Sequence, residues 1–148
     1  MIEILRAAPT DRSMLREIAI ESKAYWGYEQ SLIDQFAGAE IINIESIEND
    51  PVYKAMQAGA LAGWYRLKID LPESELEDLW VLPAEMGGGI GRAMFKHACA
   101  ESRVAGCTMM IWDADPNAVG FYKKMGAAVI GQSWSGWQRY IPRMRIEL

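Results

Sequence analysis

Cysteine is scarce in this chain, with only Cys99 and Cys107 among 148 residues. Neither belongs to a CxxC pair or a Cys/His cluster, which excludes a disulfide framework and a thiolate metal site. Histidine is scarcer still: His97 stands alone, so multi-histidine metal chemistry is excluded and no metal is expected. No stretch approaches the roughly 18 consecutive apolar residues of a membrane span, so no membrane partner is expected. The opening Met1-Ile2-Glu3-Ile4-Leu5-Arg6 carries an acid and is unlike a secretory leader. With so few thiols, a reduced, cytoplasmic setting is expected. Basic clusters are missing as well. A net charge of −5 without a Lys/Arg patch argues against nucleic acid as the partner. An acidic surface more readily admits a cationic small molecule, for example an amine.

What is present is the composition of an ordinary globule, 51% hydrophobic and 24% charged. The length suits a single domain over residues 1–148, with a core of its own. Ile2–Leu5 reads as a strand, and Thr10 or Asp11 as the cap of a helix bearing Met14, Leu15, Ile18 and Ala19 on one face. A second helix is expected around Gln30–Phe36. Residues 40–50 have no clear type. Val52–Met56 and Ala60–Ile69 form a hairpin about Gly59, and Glu75–Leu82 is a strand ended by Pro83. A helix then opens at Gly87-Gly88-Gly89-Ile90-Gly91 and runs to about Val104, with Gly106 as its stop. Thr108–Trp112 is a buried strand, a helix from Asp115 ends at Gly126, and the tail makes two strands about a Ser133–Gly136 turn. The order implies an α+β domain with a mostly antiparallel sheet.

The glycine run is the most informative feature. Glycines let backbone approach a ligand closely, and a helix start offers unpaired N–H groups and the positive end of the dipole. Together they suit a pyrophosphate. Arg92 in the first turn opposes the dipole unless a phosphate lies near. On the loop alone, a ligand site and a helix-packing turn stand level. The P-loop pattern fails, because Arg92-Ala93 follow Gly91. The GxGxxG fingerprint fails too, at Arg92 and Met94.

Val81-Leu82-Pro83 followed by Gly89-Ile90-Gly91 resembles the first signature of the GNAT acetyltransferases, V-x-P and then R/Q-x-x-G-x-G/A. Ala118, Phe121, Tyr122, Gly126 and Ala127 match its second, N-x-x-A-x-x-F-Y-x-x-x-G-F/A. The two occur in order on the proper elements, and the resemblance spans essentially the whole chain. It implies a three-layer α/β/α fold whose mixed, mostly antiparallel sheet has splayed parallel strands in the middle. Two positions depart from the pattern. Met86 replaces the Arg or Gln, and Asp115 replaces the Asn, with Asn117 two residues on.

The resemblance implies an acetyl-CoA cosubstrate, its pyrophosphate on Gly87, Gly88, Gly89, Ile90, Gly91 and Arg92. Its pantetheine arm would pair with Leu79 and Val81, near Asn117 and Phe121. The implied reaction is direct attack of an acceptor amine on the thioester. At pH 7 only about one lysine-like amine in 10³ is uncharged, so a general base is needed. Glu77 is the first choice and Glu75 the second; strand alternation puts both on the face of Leu79 and Val81, with Asp78 opposite. A solvated, charged strand start is the plainer reading of these acids. Tyr122 is expected to turn toward the cleft and protonate the departing thiolate, while Phe121 anchors the helix in the core.

His97, in mid-helix, reads as a packed or half-exposed side chain. Cys99 reads as core and Cys107 as exposed. Trp64, Trp80 and Trp112 read as packing. The aromatics near Trp26 and Trp134 can hold a flat or cationic acceptor, or form the contact of a homodimer. The alternative function is a CoA-binding regulatory module of the same fold, without turnover.

Overall fold

The computed structural model describes residues 1–148. Seven strands form one mixed sheet: β1 (Ile2–Arg6), β2 (Val52–Gln57), β3 (Ala60–Asp70), β4 (Glu73–Val81), β5 (Met109–Asp113), β6 (Ala128–Trp134) and β7 (Tyr140–Glu147). Their spatial order is β1-β2-β3-β4-β5-β7-β6. The helices are α1 (Arg12–Ala24), α2 (Gln30–Gly38), α3 (Ile44–Asn49), α4 (Ile90–Val104) and α5 (Val119–Lys124). The α+β class expected from the sequence is therefore present, with one helix more than expected.

Local chemistry accounts for the elements. Leu15, Ile18, Ala19 and Ser22 follow helical spacing and are the buried residues of α1. The β2–β3 hairpin turns on Ala58 (φ +52°) and Gly59 (φ +79°), the paired positive angles of a tight hairpin turn. In the untyped 40–50 stretch, Asn43 accepts a bond from the Ser46 amide at 2.7 Å and starts α3.

The chain divides into two compact units, Met1–Arg66 with Asp78–His97, and Leu67–Glu77 with Ala98–Leu148. In the first, Ala7, Leu15, Ile18, Ala19, Ile42, Ile47, Val52 and Trp64 form a buried cluster, with Phe36, Trp80 and Leu82 packed against it. Trp64 is fully buried, and its indole donates to Leu15 O at 2.7 Å, so the one polar atom of a large apolar ring is satisfied. In the second, Met110, Trp112, Tyr122 and Met144 are among the buried side chains. There β5 pairs antiparallel with β7, and β7 with β6. Cys99 is buried as expected. Cys107 is buried too, contrary to expectation, because its thiol lies against the fully buried Ser74 of β4, to which it is hydrogen-bonded. No helix is long and apolar enough to cross a membrane.

Candidate functional site

Strand β4 ends at Val81, and the chain makes one 3-10 turn over Pro83–Glu85 before the glycines. Met86 N–H bonds Pro83 O at 3.2 Å, and Gly88 N–H bonds Glu85 O at 3.3 Å. Gly87 (φ +84°) and Gly89 (φ +87°) occupy the left-handed region, where a Cβ costs roughly 1–2 kcal/mol. Both are exposed, and a Cβ built on either meets nothing within 4 Å. The helix of α4 begins just beyond, with Ala93 N–H bonded to Gly89 O at 3.0 Å. Gly89 has no side chain with which to cap the helix it introduces. The first-turn amides are thus left at an open, electropositive end, with Arg92 exposed beside them. Such an arrangement fits a polyanion.

Leu79 and Val81 lie half-buried on β4. The parallel ladder to β5 runs from Glu73↔Met109 to Glu75↔Ile111, while β4 continues to Val81. The two candidate bases differ in their surroundings. Glu75 is half-buried, and its Oε1 accepts from Arg143 at 3.1 Å; Arg143 also holds Asp113 at 2.7 Å. Glu77 is exposed.

Tyr122 is 7% exposed, with its ring 5.0 Å from that of Trp112 and 5.2 Å from that of Phe121. Burial, reinforced by the Asp115 charge, pushes its phenol well above the ordinary tyrosine range. Phe121 is only half-buried. The packing expected of these neighbours is reversed: Tyr122, and not Phe121, is the more buried ring. The cause is Trp112 on β5, itself buried, against which α5 lays its second aromatic. Ahead of α5, Asp115 Oδ1 accepts from the Asn117 backbone N–H and from its Nδ2, each at 2.9 Å. Asp115 is therefore the cap of this turn, and Asn117 is exposed beside it.

The model of the Acetyltransferase (GNAT) family matches residues 14–127. The chain belongs to the GNAT acetyltransferase family. Its chemistry is acyl transfer. Among relatives of this GNAT chain, the 5-NmdU N-acetyltransferase of Pseudomonas phage PaMx11 is 25% identical over 139 residues, 92% of this chain and 94% of the relative. The glucosamine 6-phosphate N-acetyltransferase of Trypanosoma brucei brucei is 37% identical over 51 residues, 34% of this chain and 35% of the relative. Among solved structures, the PaiA N-acetyltransferase of Thermoplasma acidophilum, in complex with coenzyme A, superposes with a TM-score of 0.88 at 22% identity. It covers 100% of this chain and 99% of its own. These likenesses establish the GNAT fold.

Within that GNAT fold, Met86 offers no charge to a phosphate, and its N–H is already bonded to Pro83 O. Two polar arrangements escaped sequence reasoning: the pairing of Arg143, and the partners of Asp78. Arg143 engages Glu75 from 68 positions away, and nothing local signals it. Asp78 accepts from Arg66 Nε at 2.9 Å and Trp80 Nε1 at 3.0 Å. Burial raises its pKa, against the pull of Arg66 and the two hydrogen bonds. The Asp-x-Trp spacing on a strand was the available signal, since it puts both side chains on one face.

Proposed function

We propose that this protein moves an acetyl group from acetyl-CoA to the primary amine of a small molecule, by direct attack of the amine on the thioester. The observation that carries this reading is the turn at the head of α4, where Gly87, Gly88 and Gly89 are exposed, φ is positive at Gly87 and Gly89, and Gly89 has no side chain to cap the helix. The amides of Gly87, Gly89, Ile90 and Gly91 hold the phosphates, Gly88 lets the backbone approach them closely while its own N–H stays on Glu85 O, and Arg92 adds charge. The backbone of Leu79 and Val81 pairs with the two amides of the pantetheine arm and helps polarise the thioester oxygen. Asn117 and Phe121 border the arm.

Acetyl-CoA supplies the activated acyl group; the remaining work belongs to this chain. Glu77, exposed in the middle of β4, accepts the amine proton. Glu75, half-buried with its Oε1 on Arg143, comes second. Tyr122 donates a hydrogen bond to the departing thiolate; any phenol is protonated at neutral pH, and because burial raises this one further, its part is a hydrogen bond more than a full proton transfer. The named relatives act on nitrogen, which supports an amine acceptor. Residues 1–148 act as one cytoplasmic domain. A second copy pairs along the edge strand β6, where residues 127–138 carry no formal charge.

The burial of Tyr122 favours a second reading, a regulatory module that holds CoA without turnover. Release of free thiol from acetyl-CoA, measured against a panel of small amines, amino acids, polyamines, aminoglycosides and peptide N-termini, separates the two. Acceptor-dependent release supports the enzyme. Binding with no release above the acceptor-free rate supports the module.

A further inference from the structure

Gly63 sits in β3, fully enclosed, at a place where the strand is irregular. Its partner on β2 is Ala55, but the next pair is Met56↔Leu61, so Ala62 is left over as a bulge. That spare residue is not idle: Ala62 O accepts from the Leu82 N–H at 2.8 Å, just past the end of β4. One position on, a Cβ at Gly63 would stand 2.7 Å from Trp80 O, 2.9 Å from Met94 Cε and 3.4 Å from Ile90 Cγ2. The first two distances lie well inside van der Waals contact.

These three neighbours do not yield equally. Met94 Cε is the tip of a flexible side chain and swings away at little cost. Ile90 Cγ2 is nearly at an ordinary contact distance. Trp80 O is backbone, and moving it moves the strand. A side chain at position 63 would therefore displace β4 over Leu79–Leu82 more than it would displace α4. The φ of Gly63 is not in the left-handed region, so space, not backbone strain, requires glycine here.

We propose that Gly63 is a positioning residue for the cosubstrate. Its missing side chain lets Trp80 O close against β3 and so sets where the Leu79 and Val81 backbone stands. This rests on the reading that the pantetheine arm pairs with that backbone. Gly63 touches neither the arm nor the phosphates, and it acts through β4.

The test compares two ligands on one variant. Wild type and Gly63→Ala are titrated calorimetrically with acetyl-CoA, and with adenosine 3′-phosphate 5′-diphosphate, which keeps the phosphate head and lacks the arm. Gly63→Ala should weaken acetyl-CoA by about tenfold, the worth of a hydrogen bond or so, and leave the head within about twofold. A general loss of folded protein would lower the active fraction for both ligands alike. Gly63→Ala with Met94→Leu removes the Cε contact by a near-isosteric change and provides a better-packed second variant. It should keep the selective loss, because Trp80 O remains in the way. Equal weakening of both ligands overturns the proposal, as does unchanged acetyl-CoA affinity or restored affinity in the double variant. So does failure of both variants to fold, which would make Gly63 a determinant of the core alone. If wild type binds neither ligand, the reading of the cosubstrate site is what has failed.

Discussion

At the head of α4 the first-turn amides follow exposed glycines with no side chain to receive them. At the 3-10 turn Pro116–Ala118 that leads into α5, Asp115 stands in that place and its carboxylate takes the Asn117 N–H at 2.9 Å. Both turns come after a β-strand, and both open a helical segment with orphan donors. One hands a donor to a side chain of its own; the other has no side chain to take any. The contrast teaches that binding and framing can be told apart at a helix start by asking what accepts its amides. By that criterion we propose phosphate recognition for the Gly87–Gly91 turn, while the Asp115 turn frames the helix that carries Tyr122.

The comparison breaks most visibly if chemistry follows the phosphate site. It should not. Glu77→Gln keeps size and hydrogen bonding, so acetyl-CoA affinity should hold while turnover at pH 7 falls by about 10²–10⁴, with partial recovery at high pH where free amine is abundant. Steady-state rates across pH check this. The same pattern in Glu75→Gln, with Glu77→Gln normal, would transfer the role to Glu75.

Tyr122→Phe comes next. Removing one buried oxygen should leave acetyl-CoA binding and helix packing intact and slow single-turnover acetyl transfer by roughly 10–10². An unchanged single-turnover rate would leave Tyr122 with its packing role against Trp112 alone.

The reversal of Phe121 and Tyr122 shows where sequence reasoning stops. Adjacent residues on a six-residue helix point different ways, but only the position of Trp112 decides which of them is buried. The glycine turn was legible because positive φ and exposed backbone leave a compositional mark. Helix α3 was missed although Asn43 and Ser46 already stood at capping spacing, because its apolar pattern is too short to register. The restraint of Glu75 by Arg143 was beyond reach, since strands distant in sequence bring them together.

Smaller effects sharpen the contrast. Asp115→Ala should cost about 1 kcal/mol of stability in denaturant unfolding, with acetyl-CoA affinity changed less than about twofold. A large affinity loss would mean that this turn also binds. Asp11 precedes α1 much as Asp115 precedes α5. Burial pushes its pKa up, but the Ala8 N–H at 2.8 Å and Lys54 at 3.0 Å outweigh that and leave it lowered. A lowered folded value contributes stability above the unfolded pKa of about 3.9, and that contribution is lost as pH falls through the folded value. Asp11→Asn should therefore flatten the acid limb of the stability profile, by about 0.5–1 kcal/mol.

The central claim, that the amides at the head of α4 hold the cosubstrate's phosphates, is met most directly by isothermal titration of acetyl-CoA into wild type, Gly89→Val and Gly91→Val. A branched side chain there should block phosphate approach, and at Gly89 it also meets φ +87°. Binding in wild type with loss of at least about tenfold in both variants, each still unfolding cooperatively, is the result expected. Wild-type affinity in both variants would remove the cosubstrate from that turn.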